Sequence, residues 1–129
     1  MQTLTKAERL RSRKTISLLF EKGKSISVHP VKMVWMQTPN RENSILQFGV
    51  AVPKKNFKRA VDRNRLKRQM REAVRKNKLF VKNFLAEKGK PCAMLLVFTG
   101  KEAVPFREIE DKIIVILQRF IFGLASNNV

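Results

Sequence analysis

The stretch VAVPKKNFKRAVDRNRLKRQMREAVR, residues 50–75, runs from an alternating apolar segment into a long, strongly basic one. At its start, Leu46, Phe48, Val50 and Val52 alternate with Gln47, Gly49 and Ala51, the two-residue period of a strand with one buried face. From 58 to 77 no Gly or Pro intervenes, and Ala60, Leu66, Met70, Ala73 and Val74 form an apolar stripe. That spacing predicts a helix over 58–77, with Asn56 as a candidate N-cap. Along this helix Arg59, Arg63, Lys67 and Arg71 recur every fourth residue and form one row, with Asn64, Arg68 and Arg75 in the adjacent row. Like charges at this spacing cost roughly a few tenths of a kcal/mol per pair, so the row does not serve stability. Phosphates would offset the repulsion, because a guanidinium binds them bidentately and is more cheaply desolvated than an ammonium.

Outward from this segment the charge is uneven. Residues 53–78 hold 12 basic side chains opposed only by Asp62 and Glu72, and the first 24 residues carry seven against two acids, whereas residues 101–129 have four of each. Over 129 residues, 28 Lys and Arg face 10 Asp and Glu, a net charge of +18. This excess points to a polyanionic partner, nucleic acid first and a membrane surface second, because counterion release drives binding to phosphate backbones. With 43% hydrophobic residues the chain can bury an ordinary core, which excludes charge-driven disorder, and its length suits one domain over 1–129. Cys92 is the single cysteine and His29 the single histidine, so neither an internal disulfide nor a zinc-finger spacing is available. A reducing compartment is expected. The N-terminus has no apolar stretch of signal-peptide length and no run approaches a bilayer span, so the expected location is the cytoplasm.

The remaining elements follow from periodicity. Ile16, Leu19 and Phe20 have helical spacing within 12–22, and Gly23 supplies a stop. Val31, Met33 and Trp35 alternate with Lys32, Val34 and Met36, a strand expected to lie antiparallel beside 46–52 across a turn at 38–43. A short strand at 25–28 also fits, with Pro30 either interrupting a longer strand or confining it to an edge. The continuous apolar run Ala93–Phe98 predicts a strand buried on both faces. Turns at 87–91 and 99–105 flank it, and a last helix begins near Pro105 with Phe106, Ile109, Ile113, Leu117 and Phe120 on one face. Helices packed on a small sheet make an α+β or mixed α/β sandwich. Phe48, Phe98, Phe106 and Phe120 read as core, Cys92 as packing, His29 as a surface or turn residue, and Glu108, Glu110 and Asp111 as solvent-side charge. Nothing here gathers the carboxylates a metal nuclease needs or a tunable general base, so chemistry by the protein's own side chains is poorly supported.

Residues 50–75 closely resemble the signature of the bacterial ribonuclease P protein subunit, whose central motif is an Arg-Asn-Arg on a basic helix preceded by a Lys-Lys pair. Here these are Arg63-Asn64-Arg65, continued by Leu66-Lys67-Arg68 and Arg71-Glu72, with Lys54-Lys55 ahead. LRSRKTISLLFEKGKS, residues 10–25, is similar to the family's first helix, with its ending at Leu19, Phe20 and Gly23. The resemblance implies an α-β-β-β-α-β-α sandwich with a small mixed sheet, its basic helix lying in a left-handed β-α-β crossover, an exception to the right-handed rule. It also implies the protein subunit of an endoribonuclease that removes the 5′ leader of precursor tRNA, with catalysis carried by the RNA subunit and Mg²⁺ bound mainly by that RNA. The implied partners are the catalytic ribonuclease P RNA and precursor tRNA, with no membrane and no obligate protein partner.

Carried over by position, Lys54, Lys55, Arg59, Arg63, Asn64, Arg65, Lys67, Arg68 and Arg71 would contact the catalytic RNA, Asn64 chiefly by fixing loop or helix geometry through its amide. A separate cleft between the sheet and the first helix would hold the single-stranded leader, with Phe20 and Trp35 as stacking faces and Arg11 and Lys14 as charge. Ile16 stands where the family often has a further aromatic. On periodicity alone Phe20 is a core residue, and Trp35 faces either the core or a wet cleft. Two other classes fit the charge: a ribosomal or ribosome-assembly protein, and a stand-alone nuclease. The 63–71 motif with its Lys54-Lys55 prelude separates the first of these from the family reading.

Overall fold

A strand without a polar face must lie where both of its faces are covered, and Cys92–Phe98 takes that place. In the computed structural model, which describes residues 8–38 and 45–127, the order is α1 (Arg13–Lys22), β1 (Lys24–Val28), β2 (Val31–Gln37), β3 (Leu46–Ala51), α2 (Ala60–Lys88), β4 (Cys92–Phe98) and α3 (Phe106–Asn127). The sheet order is β1-β2-β4-β3. The class is α+β, with a small mixed four-stranded sheet and three helices.

The expected pairing of the 31–36 and 46–52 strands does not occur. β4 inserts between them, antiparallel to β2 and parallel to β3, so that Met94 lies opposite both Trp35 and Phe48. The placement matches the burial of β4: Cys92, Met94, Leu96 and Phe98 enter one apolar cluster while Ala93 and Leu95 enter another, and a central strand is shielded from water on its edges as well as its faces. β3, α2 and β4 thus form a parallel crossover unit. The expected turn at 38–43 falls, from 39 on, outside the described residues. β1 is the edge strand anticipated at 25–28, joined to β2 through a turn at His29 and Pro30 with Val28 opposite Val31.

α2 and α3 cover one face of the sheet, where Leu66, Met70, Val74, Val81 and Leu85 pack with Ile109, Ile113, Ile116 and Phe120. α2 continues to Lys88, beyond the expected end at 77, because Val81 and Leu85 extend its stripe; Gly89, with φ 65°, then ends it in the left-handed region. Asn56 does not cap it. Arg59 holds the cap position without a side-chain bond, and Asn56 lies in a turn whose N–H donates to the Pro53 carbonyl. The other sheet face is covered only by α1 and the segment before it, through Leu10, Leu19, Val34, Ala93 and Leu95. One ten-residue helix cannot cover that face, and a cleft remains.

α1 is capped by the Ser12 hydroxyl, which accepts from the Thr15 N–H at 3.2 Å. Gly23 ends it as expected but with extended backbone, φ −70° and ψ 154°. Glycine is needed there for space, since a Cβ would lie 2.7 Å from Val34 Cγ1 and overlap the Leu19 carbonyl. Gly23→Ala is expected to lower stability by about 1–3 kcal/mol, seen as a lower urea midpoint at unchanged slope.

Candidate nucleic-acid interface

α2 serves two purposes along one length. Its apolar stripe is buried, while Asn64, Arg65, Arg68 and Arg71 are exposed and Arg63 and Lys67 half-buried. Lys54 and Lys55 stand exposed in the turn before it, and Phe57 anchors that loop in the core, edge-on to Phe98 at 5.7 Å. Arg59 is 4.0 Å from Asp62, and Arg75 forms a two-pronged pair with Glu72. The Arg75 bond holds the Glu72 carboxyl below its ordinary range. Among the described residues, none of Lys54, Lys55, Arg65, Lys67, Arg68 and Arg71 pairs with a carboxylate.

Within the central motif it is Arg63 that holds the geometry ahead of α2. Arg63 Nη1 donates to the carbonyls of Phe57 (2.7 Å) and Lys58 (2.9 Å), and so ties the loop to the first turn of α2. Asn64, expected to fix that geometry, is exposed and leaves the loop to Arg63. A carbonyl pair at a helix start suits a planar, permanently charged donor better than an amide.

A second feature was not legible in the pattern. Glu8 is 1% exposed and accepts from Lys78 at 2.8 Å and Lys82 at 2.5 Å, so a carboxylate at the head of the chain is clasped by two ammonium groups of α2. Lys78 therefore belongs to the interior and not to the basic surface. The clasp leads the chain along the edge of β3, where Arg9 bridges to Phe48 and the Leu10 N–H donates to the Phe48 carbonyl at 2.9 Å. This brings Arg9 and Arg11 to the open sheet face. There a cleft of about 500 Å³ is lined by Arg9, Leu10, Arg11, Ile16, Gly49 and, from α2, Arg71.

Of the residues expected in a leader cleft, Arg11 and Ile16 line it. Phe20 is 63% exposed on α1, one turn beyond Ile16, and so is not the core residue that periodicity suggests. Lys14, two residues before Ile16, lies about 200° around the helix from it and does not line the cleft, where Arg9 supplies charge instead. Trp35 is displaced more fundamentally. Alternation along β2 sends it to the α3 side, edge-on to Phe120 at 4.9 Å, while Val34 points toward α1. The structure therefore does not bring Trp35 and Phe20 to one cleft.

Cys92 is buried at the start of β4, and desolvation pushes its thiol up to about 12, so it packs as a neutral group. His29 is exposed in the β1–β2 turn. Among the described residues no three His, Cys, Asp or Glu side chains gather as metal ligands, and no helix is long and apolar enough to cross a membrane.

Fold and site together define a basic α+β domain that presents a cationic helix beside a half-covered sheet face. The sequence profile of the Ribonuclease P family matches residues 4–120. A ribonuclease P protein component of Porphyromonas gingivalis is 33% identical over 124 residues, covering 96% of this chain and 88% of that protein. The solved ribonuclease P protein of Thermotoga maritima superposes with a TM-score of 0.67 at 27% identity, over 87% of this chain and 96% of that one. That of Staphylococcus aureus, at 20% identity, shares the fold with a TM-score of 0.68 over 88% of this chain and 94% of that one. The chain belongs to the ribonuclease P protein component family. It is accordingly a protein component of a tRNA-processing ribonucleoprotein, part of an endoribonuclease that also contains an RNA subunit.

Removing one partner of a buried ion pair leaves the other uncompensated. Glu8→Ala is expected to destabilise the chain by about 3 kcal/mol, and Lys78→Met in the same chain should restore most of that loss. Chemical denaturation of the single and double variants measures both.

Proposed function

We propose that this chain is the RNA-binding cofactor of a catalytic RNA: it grips that RNA through the α2 surface and its preceding turn, and takes the 5′ leader of precursor tRNA into the cleft between α1 and the sheet. The observation that carries this reading is Arg71, which stands on the basic helix and also lines the cleft with Arg9, Arg11 and Ile16. A strand leaving a site against α2 therefore meets the cleft without crossing an uncharged surface. Lys54, Lys55, Arg59, Arg65, Lys67 and Arg68 are the phosphate contacts, and Arg63 is a positioning residue that sets the loop carrying Lys54 and Lys55. Phe20, exposed on α1 one turn beyond the cleft-lining Ile16, offers the ring for stacking, since Ile16 supplies apolar contact but no π-face.

The described residues do not suit a resident Mg²⁺. The three acids on α3 that lie close in sequence, Glu108, Glu110 and Asp111, do not converge as metal ligands, and the open cleft is lined by cations. Mg²⁺ in this reading is bound mainly by the RNA subunit, which carries the catalysis, while the protein's cations hold phosphate and raise the local affinity for the leader. The residues of this chain bind and orient; none moves a proton.

The test is reconstitution of the chain with its catalytic RNA, reading affinity for precursor and mature tRNA. Phe20→Ala should weaken the precursor by roughly 1–3 kcal/mol, the worth of one base–aromatic stack, and leave mature tRNA unchanged; equal weakening for both would overturn the leader cleft. Arg65→Ala with Arg68→Ala should weaken binding to the catalytic RNA and reduce the log–log salt slope by roughly 0.7–0.9 for each phosphate no longer neutralised. An unchanged slope would remove α2 from the interface.

A further inference from the structure

A second cavity, of about 650 Å³, opens on the other face of the sheet, between the β1 edge and the end of α3. Its volume lies within the roughly 300–1,000 Å³ usual for sites that hold a small ligand. Trp35 and Phe120 line it, together with the cations Lys22, Lys24 and Arg119 and the amide of Gln37. The Lys24 ammonium lies over the indole, 5.6 Å from the ring centroid, and the Phe120 ring packs edge-on against it. No carboxylate lines the cavity among the described residues, and none of the three cations is ion-paired there.

An indole beside three unneutralised cations is complementary to a group that is at once aromatic and anionic. Nucleotides have that chemistry, and this chain works in a ribonucleoprotein. We propose that the cavity is a second RNA site, which takes one unpaired nucleotide of a single strand. Its base lies against Trp35, where the Lys24 ammonium now stands, and its phosphate is held by Lys22, Lys24 and Arg119. A duplex does not fit, because its bases are stacked away from such a hollow. The site is separate from the leader cleft, since alternation along β2 puts Trp35 and Val34 on opposite faces, and both can be filled in one complex. The inference does not depend on the leader-cleft reading.

Trp35 is the only tryptophan and the chain has no tyrosine, so its fluorescence reports on this cavity alone. The experiment is titration of the full chain with a uridine pentaribonucleotide at low salt, following indole emission. Saturable quenching is expected, and Lys24→Gln combined with Arg119→Gln should shift its midpoint by about tenfold or more, because two charge-assisted hydrogen bonds to phosphate are removed. Both side chains are exposed, and circular dichroism checks that the double variant is folded. Emission that stays flat across the titration overturns the site, as does quenching undiminished in the double variant. An equal response to a poly-glutamate peptide of matched charge would show a general anion surface and overturn the nucleotide assignment.

Discussion

The fold depends on burying both faces of β4. Once that strand is central, β2 and β3 must flank it, the β3–α2–β4 connection must cross the sheet, and both sheet faces must carry apolar residues. α2 and α3 cover one face, apart from the cavity between the β1 edge and the end of α3. The other receives a ten-residue helix and the segment leading into it, which seal Leu10, Leu19, Val34, Ala93 and Leu95 and leave the rest of that face open. The cleft is thus the remainder of an unequal division of helices between two faces.

Charge is distributed according to what the core leaves exposed. A helix whose buried residues run from Leu66 to Leu85 along its 29 positions has fixed orientation, so the arginines on its free surface are held in a defined array. Arg63 uses its charge within the protein, on the carbonyls of Phe57 and Lys58, and thereby sets the loop that displays Lys54 and Lys55. The Glu8 clasp works at longer range: it secures the head of the chain to α2, and with it Arg9 and Arg11. Two arginines far from α2 in sequence, Arg9 and Arg11, are thereby brought together with Arg71 in space.

Much of this was legible in the sequence. Period-two and helical spacing located the three helices and the strands β2 and β3, the 25–28 strand was only an optional addition, and the apolar run at 93–98 announced a strand buried on both faces. The same run held the information that it separates its neighbours, but sequence order favours adjacent pairing of successive strands, and 31–36 was therefore expected beside 46–52. The end of α2 was missed because Lys78 sits at a stripe position, and a lysine there reads as surface until a buried carboxylate from residue 8 is known to meet it. No local pattern announces a partner 70 positions away. Trp35 illustrates the sensitivity of strands to register, since one residue along β2 exchanges the cleft for the α3 side. Phe20 failed as a core assignment for the opposite reason. α1 is short and rests on the sheet through Leu19 and a few neighbours, so its next apolar residue projects into water.

The segment that runs from Glu8 along β3 also closes an edge. β3 is the outer strand of its side of the sheet, and unpaired strand edges invite other chains to add to them. Here Arg9 and Leu10 occupy that edge at Phe48, while the opposite edge, β1, is short and opens on Lys24. In a chain of net charge +18, backbone pairing at the β3 edge is made by a segment of the chain itself that carries two of its arginines, Arg9 and Arg11. The residues that bring arginines to the cleft thus also occupy part of a strand edge to which another chain could otherwise add.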